Sequence, residues 1–172
     1  TESKEGMDAK SAGSPLFSGA EGTLLDGGIC RVESLEKAEV LIPVVTPFDA
    51  GNRVDHPLLG ELSRWLVETG RCDGVIVTGT NGEFWSLSFT ERLACYETVV
   101  RALGGRVPVI AATGCLATEE TVRLTREAER VGVDMAMVIT PIYAHPHQEG
   151  VYRHFAAVAE SVSIPLMLYN IP

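Results

Sequence analysis

Lysine is scarce in this sequence and sits at one end of it: Lys4, Lys10 and Lys37 are the only three, and none follows. Basic charge is short overall, with 14 Lys plus Arg against 23 Asp plus Glu, a net charge of −9 and a pI near 4.9. That balance argues against a nucleic-acid partner, because gripping a phosphate backbone depends on cations that displace its counterions. No apolar run approaches the roughly 20 residues of a membrane helix, and the acidic N-terminus lacks the basic-then-apolar pattern of a leader. No membrane partner is expected, and a cytoplasmic location is. The four cysteines (Cys30, Cys72, Cys95, Cys115) form no C-x-x-C pair, so buried, reduced thiols are expected rather than a zinc or redox motif. His145-Pro146-His147 has no neighbouring carboxylate or thiol and reads as a solvated loop. Neither metal nor cofactor is expected.

What the sequence does have is a regular apolar pattern. Residues 1–37 are rich in Gly, Ser, Ala and Glu, and burial there cannot offset ordering entropy, which predicts a flexible tail. From Val40 onward, over a domain spanning 38–172, one unit repeats. The run Val40–Val45 is followed by the turn residues Pro47, Asp49, Gly51 and Asn52. Asp55 can then cap a helix reaching about Glu68, with Leu58, Leu59, Leu62, Trp65 and Leu66 on one buried face and Gly70 past its end. Gly74–Val77 precedes a helix over 90–103, Val107–Ile110 one over 118–131, and Met135–Ile139 one over 149–161; Ile164–Leu168 is a fifth run. Starts about 30 residues apart match a strand plus its crossover helix.

Strands apolar on both faces belong in a parallel sheet under helices, either an open doubly wound sheet or a closed barrel. Periodicity alone does not choose between them. In both, ligands sit at the carboxyl ends of the strands. Those tips read Thr46-Pro47-Phe48, Gly79-Thr80-Asn81-Gly82-Glu83, Thr113-Gly114, Thr140-Pro141-Ile142-Tyr143 and Tyr169-Asn170-Ile171-Pro172. A hydroxyl stands at every tip. Such a set could bind a small carboxylate and relay protons, or could simply reflect the fitness of threonine for strands and caps.

The segment GVIVTGTNGEFWSLSFTE, Gly74 to Glu91, resembles the signature after the second strand of the dihydrodipicolinate synthase and N-acetylneuraminate lyase family. VVTPF after the first strand, ITPIY after the fourth, QEGVYRHF at Gln148 to Phe155 and LYNIP after the fifth agree in order and spacing. The resemblance covers about Leu41 to Pro172. It implies an α/β chain forming an incomplete (β/α)8 TIM barrel, the first five strands and four helices, behind the flexible tail; a closed barrel takes eight strands and about 250 residues.

The resemblance also implies a chemistry. Members condense or cleave at pyruvate, or another 2-keto acid, held as an imine on a lysine of the sixth strand. Tyr169 matches the tyrosine acting as general acid and base near that imine. Thr80 matches the hydroxyl linking it to a second tyrosine, Tyr143, which in the synthases reaches into a neighbouring subunit, so a homodimer or homotetramer is implied. Gly79, Thr80, Asn81 and Gly82 fall where the carboxylate is gripped. A tyrosine, whose ordinary pKa is about 10, needs polarised neighbours to move protons at neutral pH.

The implied activity is that of a pyruvate-dependent lyase resembling 4-hydroxy-tetrahydrodipicolinate synthase, with its Schiff-base lysine expected beyond Pro172. Asn81 stands where the synthases carry a second threonine and Ile142 where many carry tyrosine. With Gly114-Cys115, Asn81 points toward the 4-hydroxy-2-oxoglutarate aldolase branch, and a 2-keto-3-deoxy sugar acid aldolase is a further alternative. A reading of another class is an inactive truncated chain that pairs with intact subunits through open strand edges. A doubly wound binding domain ranks last, because G-x-G-x-x-G is absent.

Overall fold

The computed structural model describes Leu35, residues 37–142 and residues 146–171. The tail expected over 1–37 lies outside those residues except for Leu35 and Lys37. Five strands alternate with four helices: β1 (Leu41–Pro43), α1 (His56–Glu68), β2 (Gly74–Val77), α2 (Phe89–Leu103), β3 (Val109–Ala112), α3 (Thr118–Val131), β4 (Met135–Ile139), α4 (Gln148–Ala159) and β5 (Leu166–Tyr169). A 3-10 turn, Phe84–Ser86, interrupts the connection from β2 to α2.

The sheet is parallel throughout, in the order β1-β2-β3-β4-β5, with Ile42 opposite Val75, Ile76 opposite Ile110, Ala111 opposite Ala136 and Met137 opposite Met167. That order removes the ambiguity left by periodicity. A doubly wound sheet reverses its strand order at a switch point, whereas a barrel winds one way. Here the strands advance in a single direction, and each helix packs on the next, α1 on α2, α2 on α3 and α3 on α4. The result is a half-barrel.

Alternation along the strands separates two apolar layers. Val75, Val77, Val109 and Ala111 face the helices, where they meet Leu59, Cys95, Tyr96, Val99, Leu103, Leu124 and Ala128. Ile76, Ile110, Ala112 and Met137 form a second cluster on the opposite face, joined by Leu41, Met135, Met167 and Tyr169. The central strands β2, β3 and β4 are buried on both faces apart from half-buried Met135. The outer strands are not: Leu168 of β5 is 62% exposed, and Val40 and Val45 flank a β1 shortened to three residues.

The helix ends follow local chemistry. Asp55 accepts from the Leu58 amide at 3.0 Å. Ser88 and Glu91 form a reciprocal capping box, which starts α2 one residue before the predicted position. α4 stops at Ala159, two residues early, because the amide and hydroxyl of Ser161 both donate to Val158 O and tighten the last turn. One expectation is corrected. Leu58 and Trp65 are exposed; Leu59 is buried as expected, joined by Gly60 and Ser63. The small residues allow close approach to α2, with the Gly60 Cβ position 3.5 Å from Ala102 Cβ. Trp65 lies outside that seam with the Arg71 guanidinium over its ring at 5.7 Å. Among the described residues no helix is long and apolar enough to cross a membrane.

Candidate active site

The carboxyl ends of β2 to β5 border a small open hollow, with room for little more than one water molecule, lined by Gly79, Thr80, Phe84, Arg92, Ala112, Gly114, Met137, Ile139 and Tyr169. Its floor belongs to the inner apolar cluster, continued by Ile139. Thr80 after β2 and Tyr169 at the end of β5 both line it, from strands three places apart in the sheet. An apolar hollow with a few convergent polar groups is the usual form of a small-molecule site.

The turn carrying Thr80 is tightly built. Gly82 N donates to Gly79 O at 3.0 Å, Glu83 N to Thr80 O at 3.1 Å, and the buried Thr46 hydroxyl to Gly82 O at 2.7 Å. Gly82 is folded over the strand end so closely that a Cβ there would lie 3.0 Å from Thr78 Cα and 3.1 Å from Val44 O. Glycine is required here by space. Thr78 itself is buried with φ +51°, a conformation that β-branched residues rarely adopt.

Under the rim lies a polar cluster. The Thr78 hydroxyl donates to the Tyr96 hydroxyl at 3.0 Å, and Tyr96 donates to Ala112 O at 2.6 Å. Arg92 Nη2 donates to the same carbonyl at 2.6 Å, and Nη1 to Gly114 O at 3.1 Å and toward Cys115 Sγ at 3.4 Å. Arg92 is 5% exposed, lies over the Phe84 ring at 5.3 Å and has no carboxylate within ion-pair distance among the described residues. Its Nε finds no hydrogen-bond partner there. Burial pushes the Tyr96 hydroxyl above its ordinary pKa, so it remains a protonated donor.

The structure sorts the expected site residues. Thr80, Gly79 and Tyr169 line the cavity together. Asn81 and Gly82 belong to the same turn but not to the cavity wall, Asn81 being exposed and Gly82 buried beneath it. Tyr143 lies outside the described residues, as does His145; Ile142 is turned into a separate cleft beside Trp85 and Leu116. His147 caps α4 by accepting from Gly150 N at 3.1 Å. Cys72 and Cys95 are buried, Cys115 is half-buried, and burial raises the Cys95 thiol to about 12. Cys30 lies outside the described residues.

The tip hydroxyls do not all converge on the cavity. Thr113 is buried and accepts from Thr125 of α3 at 2.8 Å, so it serves the helix layer. Sequence reasoning passed over Arg92 and Tyr96. The available signal was a charged residue on the apolar stripe of α2, in register with Cys95, Tyr96, Val99 and Leu103.

Comparison with known proteins places this arrangement. The dihydrodipicolinate synthetase family matches residues 36–172. A 4-hydroxy-tetrahydrodipicolinate synthase of Bacillus velezensis is 47% identical over 129 residues, covering 75% of this chain and 44% of the relative; one of Synechococcus sp. is 50% identical over 134 residues, 77% and 44%. The dihydrodipicolinate synthase of Acinetobacter baumannii, solved in complex with pyruvate, superposes with a TM-score of 0.75 at 38% identity, over 77% of this chain and 45% of that one. An N-acetylneuraminate lyase of Mycoplasma synoviae does so with 0.74 at 32%, over 80% and 48%. The chain spans about half the length of the relatives it matches. With its single-direction half-barrel, its hydroxyl-bearing rim and a family match across residues 36–172, the chain belongs to the dihydrodipicolinate synthetase family.

Proposed function

We propose that the whole protein containing this chain is a pyruvate-dependent lyase acting through a lysine imine, with 4-hydroxy-tetrahydrodipicolinate synthesis as the leading activity. The observation that carries this reading is the meeting of Thr80 and Tyr169, two hydroxyl-bearing residues from strands three places apart in the sheet, on one hollow over an apolar floor. The names of the relatives and the pyruvate complex of one solved structure support it.

In this mechanism the turn from Gly79 to Gly82 holds the keto-acid carboxylate, with the Thr80 hydroxyl and backbone N–H groups as donors. An amine nitrogen supplied from outside this chain attacks the keto carbon, and the oxygen leaves as water. Tyr169, linked through Thr80 to Tyr143, delivers and removes the protons of that exchange and of the following loss of a proton from C3, which gives the nucleophilic enamine. A relay through Tyr143 of a neighbouring subunit makes the active form an oligomer, a homodimer or homotetramer.

Incubating the full-length protein with pyruvate and borohydride tests this. A covalent adduct on a lysine outside residues 38–172 is expected; absence of any adduct overturns the mechanism. A second reading, an aldolase acting on 4-hydroxy-2-oxoglutarate, is favoured by the exposed Asn81 amide on the rim, which presents donor and acceptor together. Cleavage of that compound faster than condensation of pyruvate with any aldehyde would select it.

A further inference from the structure

We propose that Tyr96, seconded by Arg92, is a positioning residue that holds the Thr80 hydroxyl for proton transfer by keeping Thr78 in its left-handed conformation. The inference rests on the reading of Thr80 given above. Three observations carry it. Thr78 is fully buried at φ +51°, one residue removed from Thr80, and such a conformation persists only where its surroundings over-determine it. What determines it is a set of bonds anchored outside its own strand: the Thr78 hydroxyl donates to Tyr96 at 3.0 Å, with Ala112 O as a longer second acceptor at 3.3 Å, and Tyr96 and Arg92 both donate to Ala112 O, which thereby fixes the β2 tip to the β3 tip. Finally, Gly82 packs against Thr78 Cα while its carbonyl is held by Thr46. The turn is therefore clamped at both ends, and Thr80 is free to move only if Thr78 relaxes.

Loss of the Tyr96 hydroxyl leaves the ring and the α2 packing in place but leaves Thr78 with only its longer contact to Ala112 O at 3.3 Å, which loosens its hold on the left-handed conformation and on the residues that follow. Arg92 fixes the carbonyl to which Tyr96 is tied and reinforces the same joint through Gly114 O. Both act through Thr80, and neither is assigned a proton-transfer role.

The test uses the full-length protein and pyruvate alone, following exchange of the pyruvate methyl protons with deuterium by NMR, a direct measure of enamine formation. Tyr96→Phe is expected to slow exchange at saturating pyruvate about tenfold with KM held within about twofold, the scale of a small misplacement of a reacting group. The double variant Thr80→Val/Tyr96→Phe should be no slower than Thr80→Val, since the two act in series. Thr78→Gly placed in Tyr96→Phe should restore the rate, because glycine takes positive φ without a brace. An unchanged rate in Tyr96→Phe, multiplicative losses in the double variant, or failure of Thr78→Gly to restore exchange overturns the proposal. Should Tyr96→Phe not fold, Arg92→Lys takes its place in the same cycle with Thr80→Val, with the same supporting and opposing outcomes. Thr80→Val exchanging at the parental rate removes the reading of Thr80 itself; a slow Thr80→Val beside a normal Tyr96→Phe removes the brace alone.

Discussion

Four threonines at or beside the strand tips fall into two groups, three beneath the rim and one on it. Thr46, Thr78 and Thr113 are buried, and each hydroxyl is engaged with another element: Gly82 O, the Tyr96 hydroxyl and Thr125 respectively. Thr80 is half-buried on the cavity wall, and its hydroxyl has no partner among the described residues. The same residue type in the same place along a strand thus serves two purposes. A buried hydroxyl must be satisfied or it costs stability, whereas a hydroxyl that is to meet a ligand is kept available.

The contrast yields measurements that break or sharpen it. The largest effect is expected at Thr80: Thr80→Val in the full-length enzyme should lower kcat by about a hundredfold or more, as removal of a proton-relay member does, while the melting temperature stays within a few degrees. A large fall in melting temperature would move Thr80 into the structural group. Gly114 comes next. A Cβ there would sit 2.6 Å from Ile139 Cγ2 and 3.0 Å from the Ile139 amide nitrogen, so Gly114→Ala should cost about 1–3 kcal/mol by overpacking, read from denaturant unfolding.

For the buried group, Thr125→Val leaves the Thr113 hydroxyl without its donor and should destabilise by about 1–2 kcal/mol with unchanged kcat. A kinetic defect without a stability loss would contradict the division. The smallest effect concerns His154, which is buried between α4 and α3, with Nδ1 2.9 Å from Thr118 Oγ1 and Nε2 unpartnered. Burial holds its pKa below the ordinary 6.5. The unfolded chain then binds the proton more readily, so this contribution to stability is present above pH 6.5 and is lost as pH falls below it toward the folded value. Unfolding midpoints measured on both sides of pH 6.5 should show that slope, and His154→Gln should flatten it.

Much of the architecture was legible beforehand because it depends on local rules. Apolar runs of four to six residues, about thirty residues apart, have one economical solution in parallel strands with helical crossovers, and Asp55 and Gly70 marked helix ends through short-range hydrogen bonding and backbone freedom. The exposure of Leu58 and Trp65 was not legible, since the face a helix buries depends on how closely its neighbour approaches. The site was half legible. Gly79-Thr80 and Tyr169 could be picked out as residues following strands, but Arg92 and Tyr96 sit on a helix, outside the tips where ligands are sought.

The amino-acid order by itself determined the repeat, the helix caps, the parallel pairing and the family resemblance, because each is written in neighbours a few residues apart or in motifs of fixed spacing. Tertiary structure alone decided the bracing of the β2 tip by Arg92 and Tyr96 and the division of the threonines into braced and available. Those depend on which carbonyl or side chain lies opposite a hydroxyl once strands and helices are packed, and no local pattern encodes that.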